Sequence, residues 1–113
     1  FFPSLQRSYT EEQLALQVRS RAADNFVYVV RSSYGTEHGA AWCPGMMVGK
    51  SCIAAPDGTI VADLGKRVGV TFADIDLDAR LVGSRSHGGE VGVLQDMRFA
   101  DRRPDTYGRL TEP

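Results

Sequence analysis

Residues 45–58 read GMMVGKSCIAAPDG, and how this stretch is read decides the fold. Gly49-Lys50-Ser51 matches the end of the phosphate-cradling signature G-x-x-x-x-G-K-[ST]. The spacing is wrong: three residues, not the signature's four, separate Gly45 from Gly49, and Pro44 precedes them. A helix should also come next, because its free N–H groups and dipole hold the phosphates. The chain continues instead with the short apolar run Cys52-Ile53-Ala54-Ala55, then Pro56-Asp57-Gly58. Proline presets φ and glycine accepts the tight corner, so these three residues read as a turn. The stretch is therefore a glycine-rich lead into a strand over 51–55, which returns through a hairpin as a partner strand over 59–63. Spacing and context both set nucleotide binding aside.

Upstream of the hairpin, Thr10-Glu11-Glu12-Gln13 forms a capping box, with a hydroxyl at the helix start and an amide three residues on. Glu11 and Glu12 suit the positive end of the helix dipole. Leu14, Val18 and Ala22 recur at i, i+4 and i+8, with Ala15 and Arg19 on a neighbouring stripe. The spacing predicts a helix over 11–23, ending near Asn25 in a left-handed turn. Residues 26–30, FVYVV, lack polar alternation and read as a strand covered on both faces, turning polar at Arg31-Ser32-Ser33. Residues 34–50 hold four glycines and a proline and read as a long irregular loop.

Downstream, Gly65-Lys66-Arg67 is a turn. Residues 68–77 alternate, with Thr71, Ala73, Ile75 and Leu77 on one side and Val70 and Phe72 on the other, which predicts a further strand. Residues 78–82 suggest a short helix, residues 83–92 a flexible segment, and residues 99–113 an extended polar tail. At the other end, Phe1-Phe2-Pro3 places two large aromatics before a proline that ends any ladder. They read as the close of a strand begun earlier, and the chain as a piece of a longer protein.

The 113 residues suffice for one modest domain or part of a larger one. A net charge of −1 gives no basic footprint for nucleic acid. No apolar run approaches the ~20 residues that span a bilayer. Two cysteines in a core-forming chain point to buried thiols in a reducing compartment, hence a cytoplasmic protein.

Candidate chemical groups are sparse. His38, Cys43, Cys52 and His87 lack the close pairing of zinc ligands, so no metal site is expected. Cys52 lies in an apolar strand and reads as a buried, inert thiol. A redox or nucleophilic thiol function would rest on Cys43 alone. Ser51 sits in no G-x-S-x-G elbow and reads as a structural serine at a strand start.

The order of elements, with four motifs in series, resembles the carboxy-terminal half of the nitrilase-like carbon–nitrogen hydrolases. The motifs are Arg21-Ala22-Ala23-Asp24-Asn25 before Tyr28-Val29-Val30, then Gly49-Lys50-Ser51-Cys52-Ile53-Ala54-Ala55-Pro56-Asp57-Gly58, then Ile75-Asp76-Leu77-Asp78, then Arg103-Pro104-Asp105-x-Tyr107. The G-x-S-C-I-x-A-P form is most similar to the N-carbamoyl amino-acid amidohydrolase branch. The resemblance spans nearly the whole chain, 1–113, as the carboxy-terminal portion of one domain.

The resemblance implies an α/β fold, half of a four-layer αββα sandwich. It implies hydrolysis of non-peptide C–N bonds in an amide, nitrile or carbamoyl substrate, with no metal or organic cofactor. It also implies assembly as a homo-oligomer, with 99–113 as a contact. The family works through a Cys nucleophile, a Glu base and a Lys that steadies the oxyanion, all upstream of this segment. Cys43, Cys52, Lys50 and Glu37 stand outside those motifs, so no catalytic residue is carried onto this chain. Phe1-Phe2-Pro3-Ser4 resembles the strand just after the nucleophile. The substrate-pocket candidates are Ser4 and the pair Ser32 and Ser33, each at a strand end, with Trp42 as an apolar wall. Turn chemistry accounts for each serine equally well. A second reading is a non-catalytic binding or assembly module on the same scaffold.

Overall fold

The computed structural model describes residues 1–3, 10–35, 49–106 and 108. They fall into two units, Phe1–Leu77 and Asp78–Pro113.

The first unit is built on the helix α1, Glu11–Asn25. Its capping box forms as the sequence predicts. The Gln13 amide donates to Thr10 Oγ1 at 3.1 Å, and the Thr10 amide donates to Gln13 Oε1 at 2.9 Å. Leu14, Val18 and Ala22 are the buried residues of the helix, one per turn along a single stripe. The helix runs two residues past its expected end. Its left-handed cap is Phe26 (φ 53°, ψ 45°) rather than Asn25, whose side chain instead donates to the Arg21 carbonyl at 2.9 Å. The Phe26 and Val27 amides both donate to the Ala22 carbonyl, which closes the helix.

Four strands form one sheet in the order β1-β2-β3-β4. They are β1 (Phe2–Pro3), β2 (Val29–Ser32), β3 (Ser51–Ala54) and β4 (Ile60–Gly65). β1 runs parallel to β2, and the other two pairings are antiparallel. Pro3 sits on an edge strand, where the missing N–H costs least. The register pairs Val29 with Ala54 and Arg31 with Cys52, so these four share a face. That face takes α1. Val18, Ala22, Val29, Cys52 and Ala54 form the core, with Phe2 and Ile60 packed against it.

The opposite face carries Val30, Ile53 and Ala62, all half-buried. This corrects the expectation of a strand covered on both sides. Val29, under α1, is buried, while Val30 on the other face is only half-buried. The strand also begins three residues later than expected, since the helix cap consumes Phe26 and Val27.

The hairpin between β3 and β4 turns at Pro56 and Asp57, with the Gly58 amide donating to the Ala55 carbonyl at 2.8 Å and Gly58 at φ 83°. Its corner docks on the helix: Arg19 Nε donates to the Gly58 carbonyl at 2.9 Å. Residues 68–77 contradict the strand expectation. They bend at Val68 and Gly69, enter a turn at Leu77 and form no ladder among the described residues, and Val70, Phe72 and Leu77 are exposed. Alternation specifies a face to bury; it forms a strand only where a partner edge is present.

The second unit also departs from expectation. Residues 78–82 form no helix, and the segment read as flexible is a hairpin of β5 (Val82–Ser84) and β6 (Val91–Val93). The helix α2, Leu94–Ala100, comes directly after it, so Phe99 and Ala100 close a helix where an extended tail was expected. A single 3-10 turn occupies Pro104–Thr106. No described helix is long and apolar enough to cross a membrane.

Candidate functional site

The first unit contains a pocket of about 320 Å³, near the lower end of the range for small-molecule sites, roughly 300–1,000 Å³. Its place is set by the strand order. β2 finishes, β3 begins and β4 finishes at the same end of the sheet, and the pocket lies there. Val30 and Ile53, on the face away from α1, form its floor with Leu64. Residues 67–71 supply the opposing wall. That wall comes close: a Cβ on Gly35 would lie 2.6 Å from the Val68 side chain, so only glycine fits there.

Ser32 and Ser33 both line this pocket, the first exposed and the second half-buried. Ser4 and Trp42 lie outside the described residues. The structure adds Ser51, which the sequence assigns a structural role, and that role is visible. Ser51 Oγ accepts from the Ser33 amide at 3.1 Å and donates to the Ser33 carbonyl at 3.2 Å. One hydroxyl thus extends the pairing of β2 and β3 past the last ladder bond and holds Ser33 at the pocket wall.

The approach to Ser51 is shaped by two residues with positive φ, Gly49 (121°) and Lys50 (67°). The Lys50 amide donates to the Gly65 carbonyl at 2.8 Å, and its ammonium pairs with Asp63. A strand then begins at Ser51, with no helix for a phosphate to rest on.

Cys52 is fully buried among core side chains. Burial, with the Asp63 carboxylate adding to it, pushes its thiol up from the ordinary value. A thiol so placed is a poor nucleophile, in line with its reading as an inert core residue. Among the described residues, Arg31 is the one charged residue that is buried, at 2% exposure. Its guanidinium and that of Arg21 stand over the Phe2 ring, at 5.6 and 4.8 Å. Burial, and secondarily the Arg21 charge, pushes the Arg31 guanidinium down from its usual value.

Sequence reasoning did not find Arg67, which lines the pocket from the turn after β4. A signal was available: the hairpin register returns this turn to the end of the sheet that holds Ser33. No three potential metal ligands cluster among the described residues.

The family model described as Carbon-nitrogen hydrolase matches residues 5–80. The match covers more than half of the chain and spans α1, β2, β3, β4 and the pocket they build. No curated protein and no solved structure gives a match.

Proposed function

This chain belongs to the carbon–nitrogen hydrolase family, and from that premise we propose that it is the carboxy-terminal part of an enzyme hydrolysing non-peptide C–N bonds. The observation that carries the reading is the coincidence of the family match with the pocket at the sheet end. The substrate is a small amide, nitrile or N-carbamoyl amino acid, and the G-K-S-C-I-A-A-P run favours the carbamoyl branch.

In this reading a Cys nucleophile, a Glu base and a Lys all lie upstream of Phe1. The thiolate attacks the substrate carbon, ammonia or an amine leaves, and water releases the acid from the acyl-enzyme. The chain's own share is the cavity. Ser32 and Ser33 border the substrate, while Ser51 holds the Ser33 backbone in place. The sheet face opposite α1, which carries Ala62 beyond the pocket floor, is the surface on which a second sheet packs, completing the four-layer αββα sandwich. The protein is cytoplasmic and homo-oligomeric, with 99–113 at a subunit contact.

The test uses the full-length protein. Turnover of an amide, nitrile or N-carbamoyl amino acid is expected to vanish when an upstream cysteine is changed to alanine. It should persist in Cys52→Ala, because that thiol is buried away from the chemistry. Loss of turnover in Cys52→Ala with the fold intact would overturn the assignment of the nucleophile. Binding without any turnover would favour a non-catalytic module.

A further inference from the structure

Resting on the enzymatic reading above, we propose that Lys50 is a positioning residue: paired with Asp63, it fixes the start of β3 so that Ser51 holds Ser33 against the substrate. Lys50 has φ 67°, a left-handed backbone that glycine takes freely and that a residue with a side chain rarely adopts. Its neighbour Gly49, at φ 121°, answers to space, since a Cβ there would lie 2.7 Å from Lys66 Cγ and 3.0 Å from Lys66 Cα. At position 50 a glycine would ease the backbone but would lack the ammonium, and the ammonium is engaged by Asp63. This is the most sheltered of the described ion pairs: the Lys50 side chain is 13% exposed, whereas both partners of every other pair are at least 41% exposed. Strained backbone persists where its surroundings over-determine it, and such places cluster where geometry serves function.

The surroundings of Lys50 form a closed ring. Its amide donates to the Gly65 carbonyl at 2.8 Å, its ammonium pairs with Asp63, and Asp63 Oδ1 accepts from the Gly65 amide at 2.8 Å. Gly65 is also the ladder partner of Ser51, beside a register shift between Ser51 and Cys52. Regular pairing is broken at that shift, so the ladder alone does not set the place of Ser51. The ring supplies the missing constraint. Ser51 Oγ passes it across to β2, where it meets the Ser33 amide at 3.1 Å and the Ser33 carbonyl at 3.2 Å. Ser33 and Ser51 line the pocket; Lys50 is absent from its described lining, and therefore acts through its neighbour.

The experiment assays the full-length protein on propionamide, propionitrile and N-carbamoyl-β-alanine, and follows whichever is turned over fastest. In Lys50→Met and in Asp63→Asn, kcat/KM should fall about 10- to 100-fold, mostly through kcat, as when a bound substrate is held off its reactive alignment. Lys50→Arg, which keeps the charge, should recover part of the loss. Lys50→Gly removes the tether and the backbone strain together, so its Tm should stay near that of the wild type while its turnover falls. Because Lys50 and Ser51 act in series, the double variant Lys50→Met/Ser51→Ala should lose little more than the worse single variant. Lys66→Met breaks the neighbouring pair with Glu11, which ties down no pocket residue, and should leave kcat/KM within about 2-fold. Unchanged turnover in folded Lys50→Met and Asp63→Asn overturns the inference and leaves the enzymatic reading standing. So do losses that add fully in the double variant, or an equal loss in Lys66→Met. Absence of turnover of all these compounds by the wild type overturns the enzymatic reading and this inference with it.

Discussion

Two hairpins of similar size lie in the two units, and they are held by different means. The β3–β4 hairpin buries Cys52 and Ala54 under α1 and ties its corner to Arg19. The β5–β6 hairpin has no buried residue, and Val82 and Val91 are 66% and 69% exposed. Its glycines do a different job. A Cβ on Gly83 would lie 3.1 Å from Leu94, so β5 and α2 approach closely through bare backbone. The second unit is thus ordered by ladder bonds and close approach, and the first by removal of apolar surface from water. The hydrophobic term is the larger one, roughly 1.5–3 kcal/mol for each fully buried aliphatic side chain. The first unit should therefore melt last.

The largest expected effect tests that contrast directly. Leu14 is 1% exposed, and Leu14→Ala should cost about 2–5 kcal/mol through lost transfer energy and the cavity left behind. Val82→Ala should stay within about 0.5 kcal/mol, because Val82 already faces water. Denaturant unfolding of the full-length protein measures both, and amide exchange should be slower in β3 than in β5. Comparable costs at the two positions would mean that the second unit is buried in the complete protein.

A hydroxyl in each unit sharpens the comparison at a smaller scale. Ser51 Oγ serves the Ser33 amide and carbonyl in a part-buried setting. Ser51→Ala leaves that amide without its acceptor, at a cost of about 1–2 kcal/mol. Ser84 Oγ, at the exposed end of β5, donates to the Ser86 carbonyl and to the Gly89 carbonyl, 3.2 Å away. Water replaces it there, so Ser84→Ala should change stability by only a few tenths of a kcal/mol. Equal losses would break the distinction drawn between the units.

The contrast also explains what the sequence could disclose. The capping box, the Leu14-Val18-Ala22 stripe and the Pro56-Asp57-Gly58 corner are local signals. Each maps onto one element through a fixed spacing, and each appears where expected. The strand over 68–77 was legible as a pattern but not as a structure, because a ladder needs a partner and partners are not local. The β5–β6 hairpin was illegible for the opposite reason. Its strands are three residues each and rich in glycine and serine, the composition of a loop, and their order comes from contact with α2. The site divides in the same way. Ser32 and Ser33 were marked by the polar end of an apolar strand. Arg67 reaches the pocket only through the register of a hairpin, which no single residue announces.

The smallest expected effect separates two exposed carboxylates whose acidity has different origins. Asp57 Oδ1 accepts from the Thr59 amide at 2.8 Å, and this backbone hydrogen bond to the charged form holds its carboxyl below the ordinary range. The Asp105 carboxyl is also held below its ordinary range, for another reason: Arg103 Nε and Nη2 donate to its two oxygens at 3.1 and 2.7 Å. Both depressions carry the same sign. Each contributes to stability above the ordinary carboxylate pKa of about 3.9, and the contribution fades as pH falls through the lowered folded value. They should part company in salt. At 1 M ionic strength the screening length shrinks to about 3 Å, and the exposed Arg103–Asp105 pair weakens, so the Asp105 carboxyl should rise toward its ordinary value. The Asp57 carboxyl should stay low, because its partner is an amide fixed by the turn rather than a mobile charge. Carboxyl-carbon NMR titrations at low and high salt read both groups at once. A parallel rise at Asp57 would mean that distant charge, and not the hairpin corner, sets its acidity.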